Sequence, residues 1–449
     1  MNDIQITQHK HVFVAEFEFS HETKDVVKDC GFKFNRDTKD WWTDDLKCAL
    51  ALAEEIGDKL EDSIFQQLKD KEWHDDLAYD MSNAKYPKDK LELESPFKLE
   101  YKPYQFAFLE WWKQRTTNGY RNLLEASEMG IGKTIETIMI MNIMKNPDPR
   151  FLIVCPAGLK INWEREIHKW STRRNYFSVQ RIDGEKPIDP SRLNQTNTSI
   201  INYDILPKHR NTIDQIKWDL IVIDEAHYLK SPKAKRTQAV LGGGDFKPIE
   251  GRKLFLTGTP LINRPAELWT LAKACDPNGL GSHWHKFHER YCDGYKNRWG
   301  GWDLTGANHL DELQTKLRSS FMMRRRTDDV LDQLPAIQRQ AIVLPVNGNA
   351  DLIHAEQQAY DTHEEIKRDL EEAKKSMDED IETRIKQLRG GLQLAFGELS
   401  KARKRVGICK IPYVAEHVIN VEQSRGKTVV FAHHIAVVEG LMRAFGKEK

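Results

Sequence analysis

Short runs of apolar residues alternate with longer segments of mixed polarity between residues 96 and 345. Runs this short and this continuously apolar are typical of strands buried on both faces of a parallel sheet, and the mixed segments suit covering helices. The predicted strands are Arg121–Leu124, Phe151–Cys155, Ser199–Asn202, Asp219–Ile223, Lys253–Leu256 and Ala341–Pro345. The pattern therefore predicts an α/β fold whose main lobe, residues 96–345, is a parallel sheet covered by helices.

A different pattern covers residues 1–60. The segment His11–Phe19 alternates apolar and polar residues as a half-buried strand does, and a helix over about 22–30 is expected to end at Gly31. Two short strands around a polar turn are predicted within 32–43, followed by a helix over about 46–60. Residues 1–60 are therefore predicted to form a small α+β domain, and the polar residues 61–95 a linker that is helical in part.

Residues 350–389 are strongly charged, and residues of opposite charge such as Glu364 and Arg368 stand four positions apart. Such pairs stabilise an exposed helix, and another helix is predicted over 409–422. Residues 346–425 are therefore predicted to be a helical spacer or protrusion. The apolar run Lys427–Ala432 then predicts a buried strand, with a helix after it. Residues 426–449 are interpreted as the beginning of a second α/β lobe.

The composition fits an intracellular globular protein. The 449 residues contain 68 Lys and Arg and 68 Asp and Glu, so overall charge indicates no polyanionic partner, although local patches decide binding. The six cysteines form no C-x-x-C pair, which argues against a zinc ribbon or a disulfide framework. Neither a signal peptide nor an apolar run long enough to cross a membrane is expected. A monomer is expected, in the cytoplasm of a prokaryote or phage-infected cell or in a eukaryotic nucleus.

A glycine-rich segment, Glu128-Met-Gly-Ile-Gly-Lys-Thr, follows the first strand of the lobe. Gly130 and Gly132 allow backbone amides to approach phosphate oxygens, and Lys133 begins a helix whose dipole favours the same anion. The hydroxyl group of Thr134 is a ligand for Mg²⁺. The residues predicted to bind ATP in this loop are Met129, Gly130, Ile131, Gly132, Lys133 and Thr134.

Two adjacent carboxylates, Asp224 and Glu225, end a later apolar run. Ligands of open α/β sheets bind at the carboxyl ends of the strands, where Asp224 is expected. Asp224 is predicted to hold Mg²⁺, and Glu225 to orient and deprotonate an attacking water molecule. This pair supports the interpretation of Ser127–Thr134 as a loop that binds phosphate, here called the phosphate loop. Ser127 stands where the strict motif has glycine. The predicted catalytic residues of this ATP hydrolase are Glu225, Asp224 and Lys133.

Two weaker signals accompany these motifs. The amide group of Gln105 has the donor and the acceptor that adenine requires, although a surface turn explains Lys102–Gln105 as well. The segment Leu256-Thr-Gly-Thr-Pro ends another predicted strand, and its hydroxyl groups suit a hinge that senses the phosphates. An ordinary turn from strand to helix explains this segment equally.

In this order the motifs resemble those of the SWI/SNF-like branch of helicase superfamily two. The resemblance covers residues 96–449 and rests on six blocks: Lys102–Gln105, Ser127–Thr134, Val154–Trp163, Ile201–Leu206, Asp224–His227 and Leu256–Pro260. It implies a RecA-like lobe, the beginning of a second RecA-like lobe, and an ATP-dependent motor that moves along duplex or forked DNA.

The resemblance also implies roles for individual residues. Gln105 would read adenine, and His227 would link the γ-phosphate to Thr257, Gly258 and Thr259. The implied DNA-binding residues are Ala157, Gly158, Lys160, Tyr203, Lys230 and Arg236. For Lys230 and Arg236, an ordinary surface charge is an equal alternative.

Two further stretches resemble the annealing-helicase subgroup, which remodels replication forks. They are Arg290-Tyr-Cys-Asp-Gly-Tyr with Trp299-Gly-Gly-Trp-Asp-Leu-Thr-Gly, and Phe321-Met-Met-Arg-Arg-Arg with Val330-Leu-Asp-Gln-Leu-Pro. Residues 1–60 are similar to the HARP-type fork-recognition module of that subgroup in four segments: Phe13-x-x-Glu16, Gly31-Phe-Lys-Phe, Thr38-Lys-Asp-Trp41 and Asp44-Asp-Leu46. The alternative is an unrelated small α+β domain.

Other interpretations stay open. The second lobe of the family carries two arginines that reach the γ-phosphate, and this lobe is interpreted as only beginning at Lys427–Ala432, so these arginines are not expected in the chain. The chain is therefore expected to bind Mg-ATP and to hydrolyse it slowly. The alternatives are a strand-separating DNA or RNA helicase of superfamily two, and an ATP- and DNA-binding fragment without hydrolysis.

Three clusters have a structural and a functional interpretation. The histidines and cysteine of His283–Cys292 suit either a zinc site or a plain helix. Trp41 and Trp42 suit either stacking on bases or core packing. Arg324–Arg326 suits either phosphate contacts or a charged turn packed on the lobe.

Overall fold

The structure, a computed structural model of the chain, contains two compact units, Met1–Leu334 and Pro335–Lys449. The residues that it describes are 4–9, 12–35, 38–56, 62–89, 93–96, 99–172, 178–261, 263–296, 300–331, 339–345, 348–375, 381–425 and 427–446. Within these ranges no helix is both long enough and apolar enough to cross a membrane.

The N-terminal part of the first unit is an antiparallel sheet with two helices. Its strands are β1 (Gln5–His9), β2 (Val12–Glu16), β3 (Lys33–Phe34) and β4 (Trp41–Thr43), in the order β1-β2-β4-β3. The helices α1 (His21–Asp29) and α2 (Leu46–Ile56) place Val27 and Leu52 in a core shared with Phe13. The predicted strands and helices are confirmed here, and β1 is an additional strand. Residues 57–60, predicted as the end of the second helix, lie outside the described residues.

A long helix occupies much of the segment predicted to be a linker. After α3 (Asp62–Met81), the next helix is α4 (Pro103–Thr117). Arg115 donates hydrogen bonds to the carbonyl oxygens of His74 and Ser319 at 3.2 and 2.9 Å. Ala78 at the end of α3 is fully buried. The helix predicted for part of residues 61–95 is therefore confirmed as α3, and its C-terminal end packs within the first unit.

A seven-stranded parallel sheet forms the centre of the first unit. The remaining strands of the chain are β5 (Asn122–Glu125), β6 (Phe151–Cys155), β7 (Val179–Arg181), β8 (Thr198–Asn202), β9 (Leu220–Asp224), β10 (Arg252–Leu256), β11 (Tyr295–Lys296), β12 (Trp302–Asp303) and β13 (Met322–Met323). The sheet has the order β13-β5-β10-β9-β6-β8-β7, and β11 and β12 form a separate antiparallel pair. The predicted α/β class with a parallel, RecA-like sheet is confirmed.

Helices connect the strands and cover the sheet. They are α5 (Lys133–Ile143), α6 (Lys160–Trp170), α7 (Pro190–Asn194), α8 (Leu206–Ile213), α9 (Lys235–Leu241), α10 (Trp269–Cys275), α11 (Trp284–Cys292), α12 (Leu310–Ser320) and α13 (Thr327–Val330). The strands β5, β10 and β9 lie side by side, with Glu125 opposite Leu256 and Leu256 opposite Asp224. Their carboxyl ends therefore lie at one edge, which is where ligands of such sheets bind.

The second unit is helical in its described residues. Its helices are α14 (Ala350–Lys375), α15 (Ile381–Cys409), α16 (Ile411–Arg425) and α17 (Ile435–Ala444), which confirms the helices predicted within 346–425 and after the last apolar run. Two predicted strands, Ala341–Pro345 and Lys427–Ala432, are wrong: neither segment is a strand, and Val343 and Phe431 are each 92% exposed. An apolar run becomes a strand only where another strand pairs with it, and in the described residues none lies beside either run.

Candidate active site

The glycine-rich loop joins β5 to α5 at the carboxyl edge of the sheet. Gly130 and Gly132 have φ values of 87° and 99°, which glycine adopts without strain. A side chain at Gly132 would also place its Cβ 2.8 Å from Gln105 Nε2. Backbone conformation and space therefore both require glycine at position 132, immediately before α5.

The ammonium group of Lys133 lies inside this loop. Its Nζ donates to the carbonyl oxygens of Ser127 and Glu128 at 2.8 and 3.0 Å. Burial lowers the pKa of Lys133, and four nearby carboxylates oppose this change, among them those of Glu225 and Asp224. The ammonium group is therefore within electrostatic reach of the carboxylates at the end of β9.

Asp224 ends β9 and carries the carboxylate predicted to hold Mg²⁺. Its Oδ2 accepts a hydrogen bond from Trp163 Nε1 at 2.8 Å, and its Oδ1 accepts one from the backbone N–H of Glu225 at 2.9 Å. Burial raises the pKa of Asp224, because the charged carboxylate is poorly solvated there. A cation bound beside it would stabilise the charged form and lower the pKa again. Thr134, half-buried in the first turn of α5, adds a hydroxyl oxygen. Carboxylate and hydroxyl oxygens are ligands that Mg²⁺ prefers, so these residues fit the ion.

Glu225 connects to the segment after β10 through a histidine. Its φ of 52° is uncommon for a residue other than glycine and recurs at functional sites. His227 Nδ1 lies 3.2 Å from Glu225 Oε2 and 3.2 Å from Thr257 Oγ1. Thr257 Oγ1 in turn accepts a hydrogen bond from the backbone N–H of Thr259 at 3.2 Å. A continuous polar path therefore joins Glu225 to the Thr257–Thr259 segment.

Gly258 brings this segment against the phosphate loop. A side chain at Gly258 would place its Cβ 2.7 Å from Met129 Cγ, so the Met129 side chain would have to move to make room for it. Met129 itself is 70% exposed at the tip of the loop, whereas Ile131 is fully buried and packs on Tyr104 and Val330. Among the residues predicted to bind ATP, Ile131 therefore anchors the loop to the core and Met129 lies on its open side.

Gln105 lies beside the phosphate loop and is largely committed to local structure. Its side chain is buried, and its Oε1 accepts a hydrogen bond from the backbone N–H of Lys102 at 2.8 Å. This contact caps the N-terminus of α4. The oxygen predicted to accept from adenine is therefore occupied within the chain, and the adenine role stays a prediction.

A buried charge cluster behind the loop was missed at the level of sequence. The fully buried Arg325 donates to Glu136 Oε1 at 2.6 Å and lies 3.5 Å from Glu125 Oε1. Its Nε also donates to Ser127 Oγ at 3.1 Å. Burial raises the pKa of Glu136, and the guanidinium group of Arg325 opposes this change. Ser127, the departure from the strict glycine motif, is therefore the acceptor that attaches the loop to Arg325.

The two arginines beside Arg325 differ in their contacts. Arg324 donates to the carbonyl oxygens of Ala126 and Gly258, the second at 3.0 Å, and so joins the phosphate loop to the segment after β10. The side chain of Arg326 is 65% exposed. Packing on the lobe is therefore the correct interpretation for Arg324 and Arg325. The apolar pair Met322–Met323 directly before them is the signal that could have revealed a strand and a buried continuation.

The residues expected to contact DNA differ in how far they are exposed. Ala157 and Gly158 are exposed in a short 3-10 helix before α6. Lys160 forms an ion pair with Asp183 and donates to the carbonyl oxygen of Ile182 at 3.0 Å. Tyr203 is 2% exposed, and its hydroxyl group donates to the backbone carbonyl of Asp224 at 2.6 Å. The Tyr203 hydroxyl group therefore makes a structural contact under the active site, and a DNA contact at this position stays a prediction.

Lys230 and Arg236 also have partners within the chain. Lys230 Nζ donates to Glu267 Oε1 at 3.3 Å. The guanidinium group of Arg236 lies over the ring of Tyr228, 5.2 Å from its centroid, and Tyr228 stacks on Tyr203 at 5.5 Å. Because Tyr228 is 37% exposed, this stack reaches the surface beside Asp224.

The remaining clusters are chiefly structural. Within the described parts of the chain, no three His, Cys, Asp or Glu side chains are arranged to hold a metal ion. His288 instead stacks on Trp284, with ring centroids 4.1 Å apart. Trp42 packs under Lys286 of α11, whose Nζ lies 4.0 Å from the ring centroid. Trp299 and residues 332–335, which belong to the stretches quoted for the annealing-helicase resemblance, lie outside the described residues.

Comparison with known proteins gives one family and several relatives. The family described as "SNF2-related domain" matches residues 104–394. The SWI/SNF-related matrix-associated actin-dependent regulator of chromatin subfamily A-like protein 1 of Xenopus laevis is 33% identical over 328 residues, which are 73% of this chain and 31% of that protein. The human DNA annealing helicase and endonuclease ZRANB3 is 30% identical over 335 residues, which are 72% of this chain and 28% of that protein. The chain therefore spans less than a third of the length of either relative.

Similarity to solved structures is weaker. The Sulfolobus solfataricus SWI2/SNF2 ATPase core in complex with dsDNA is 20% identical, with a TM-score of 0.46, over 80% of this chain and 72% of that chain. The family match, by contrast, covers most of the chain and includes the phosphate loop, the carboxylates that end β9 and the segment after β10. The chain therefore belongs to the family of proteins with an SNF2-related domain.

Proposed function

We propose that this chain carries the ATP-binding lobe of a DNA translocase that hydrolyses Mg-ATP and moves along duplex or forked DNA. The observation that supports this most is the convergence of four functional groups at one edge of the sheet. The Lys133 ammonium group is within electrostatic reach of Asp224 and Glu225, and His227 links Glu225 to Thr257. Such a set supplies a phosphate ligand, a metal ligand, a base and a connection to a neighbouring segment.

Each residue has a separate task in the proposed reaction. The loop amides and Lys133, exchanging its present carbonyl partners, bind the phosphates. Asp224 and Thr134 would hold Mg²⁺, which when bound neutralises phosphate charge. Glu225 orients a water molecule and accepts its proton, and His227 transmits the state of this site to Thr257.

DNA is proposed to bind at the exposed turn before α6. Ala157 and Gly158 are exposed there and have small or no side chains, which suits backbone contacts to phosphates in any sequence. Lys230 and Arg236 would add charge once their present partners are exchanged. Affinity is therefore expected to fall steeply as salt concentration rises and to depend little on base sequence.

A role in DNA repair by fork remodelling is part of the proposal. It is supported by the printed name of ZRANB3, a DNA annealing helicase, and by the quoted resemblance of residues 1–60 to a fork-recognition module. Forked DNA would then stimulate the chain at least as strongly as plain duplex.

The test compares ATP turnover and ATP affinity of the wild type and Glu225→Gln. Removing a general base should lower turnover by about 10²–10⁴-fold with little change in ATP affinity. The matched control is Glu289→Gln, an exposed position on α11, which should behave as the wild type. Equal turnover in wild type and Glu225→Gln would show that Glu225 is not the base.

A nucleic-acid panel separates the proposal from its alternatives. Turnover is measured with forked DNA, duplex DNA, single-stranded DNA and RNA, at two salt concentrations. Stimulation by RNA alone would favour an RNA helicase. ATP binding and DNA binding without turnover under any condition would favour a binding fragment.

A further inference from the structure

Asp224 is held by a residue from a different element. Of the two hydrogen bonds that its carboxylate accepts, the one from the Glu225 backbone is local. The other comes from Trp163 Nε1 on α6, a residue 1% exposed and 61 positions away in sequence. The contact therefore exists only because the fold packs α6 beside the end of β9.

Such a contact restricts the orientation of the carboxylate. The terminal torsion of an aspartate has a broad energy minimum, so one local hydrogen bond leaves its two oxygens free to rotate. An indole ring buried in a packed core has no comparable freedom. The fixed N–H of Trp163 therefore holds Oδ2 of Asp224 in one direction, and this sets the orientation of the whole carboxylate.

The indole N–H of Trp163 is not needed merely to complete the core. Trp170 lies two turns later on the same helix and is 6% exposed. Its Nε1 is buried without a hydrogen-bond partner among the described residues. The fold therefore accepts a buried, unpaired indole N–H on this helix, and the bond at Trp163 is a distinct feature.

We propose that Trp163 is a positioning residue, which holds the Asp224 carboxylate in the orientation that binds Mg²⁺ on the nucleotide. This inference rests on the proposed function, because it assigns Asp224 to the metal. Trp163 does not touch the nucleotide or the ion in this proposal, and it acts only through Asp224.

The test removes the indole N–H of Trp163 and keeps the shape of its ring system. At position 163, tryptophan is replaced by 3-benzothienylalanine, which keeps the shape of the ring system and lacks the N–H. The matched control carries the same replacement at position 170. ATP affinity of the full chain is measured by calorimetry in excess Mg²⁺ and in EDTA, and Asp224→Asn is the reference. Trp163→Phe and Trp170→Phe form a second pair that can be encoded genetically.

Trp163 should contribute to the Mg²⁺-dependent part of ATP affinity alone. In the variant at position 163, the gain in affinity from Mg²⁺ should fall about tenfold, which corresponds to about 1.4 kcal/mol and suits a hydrogen bond to a charged group. Affinity in EDTA should stay at the wild-type value, and the variant at position 170 should keep the full gain. A merely structural role would change both affinities together.

Two results overturn the inference in distinguishable ways. If the variant at position 163 keeps the wild-type gain, Trp163 does not position Asp224, and the proposed function is unaffected. If the wild type shows no gain from Mg²⁺, or Asp224→Asn keeps it, the assignment of Asp224 to the metal fails and this inference fails with it.

Discussion

Ser127 has a structural purpose that glycine could not fulfil. Its hydroxyl oxygen accepts two hydrogen bonds, from the backbone N–H of Arg325 at 3.2 Å and from Arg325 Nε at 3.1 Å. Both groups are fully buried, so no water can replace the hydroxyl group. The departure from the strict phosphate-loop motif therefore coincides with a second attachment of the loop.

We expect Ser127→Ala to lower the free energy of unfolding by about 1–3 kcal/mol, because it leaves buried donors without an acceptor. The measurement is chemical denaturation at neutral pH. Ser231→Ala, at an exposed position, is the control and should change stability by less than about 0.5 kcal/mol. Equal stability of the two variants would mean that Arg325 finds another partner.

Lys253 makes stability depend on pH. It lies in β10, is 7% exposed, and donates to the carbonyl oxygen of Ile249 at 2.6 Å. Burial lowers its pKa from 10.5 to about 8. Between these pH values Lys253 binds a proton in the unfolded state and not in the folded state. Its contribution to the free energy of unfolding therefore rises with pH from about 8 to about 10.5.

Comparison with Lys253→Met isolates this contribution. We expect the free energy of unfolding of the wild type, minus that of Lys253→Met, to increase by about 2 kcal/mol between pH 7.5 and pH 10. Denaturant titrations at several pH values measure it. Lys235→Met, at an exposed position, should leave the pH dependence of the wild type unchanged. A difference that stays constant with pH would contradict the lowered pKa.

Motifs indicated candidate residues with local contacts and missed residues that contact the site across the fold. The positions of Lys133, Asp224 and Glu225 at one edge of the sheet could be predicted, because they follow from a loop and from the end of an apolar strand. Their roles stay predictions. Trp163 and Arg325 could not be predicted, because each contacts the site only after packing of distant elements. The burial of Tyr203 under Asp224 could not be predicted for the same reason, since it depends on the order of the strands.

At the scale of elements, the segment after α12 completes the phosphate loop. β13 pairs in parallel with β5, and the chain then places Arg325 between Glu136 and Glu125. Thr327, three residues from Arg324, donates from its backbone N–H to Glu128 at 2.9 Å. The loop is therefore held on one side by a distant segment, since Glu128 and Thr327 are 199 residues apart in the sequence.

Loss of this attachment should be costly. We expect Arg325→Met to lower the free energy of unfolding by about 3–5 kcal/mol, because two buried carboxylates lose their cation. Adding Glu136→Gln to that variant should restore part of the loss, since it removes one of those charges. Arg326→Met, at a position 65% exposed, is the control with little expected effect. Chemical denaturation of the three variants measures the free energy of unfolding. Equal losses of stability in Arg325→Met and Arg326→Met would mean that the buried ion pairs of Arg325 do not stabilise the fold.

Apolar runs predicted strands well where the sheet supplies neighbours. β6 and β9 lie in the interior of the sheet, and their near-continuous apolar residues identified them. β7 was missed because it lies at the edge of the sheet and is only half-buried. The same apolar pattern overpredicted Ala341–Pro345 and Lys427–Ala432, because periodicity reports burial tendency and contains no information about a pairing partner.

At the scale of the whole molecule, the two compact units imply a preferred site of cleavage. The described residues 339–345 next to the boundary between Met1–Leu334 and Pro335–Lys449 form neither helix nor strand, and Arg339 is exposed. Proteases cut where backbone is exposed and can open locally at low cost.

We expect mild trypsin treatment to cut first after Arg339 and to leave a larger N-terminal and a smaller C-terminal product. Intact-mass spectrometry identifies the bond, and Arg339→Gln should slow this cut without slowing others. First products cut within residues 104–331 would mean that the parallel-sheet unit opens more easily than this segment, and the buried attachments of its phosphate loop would then contribute little to its stability.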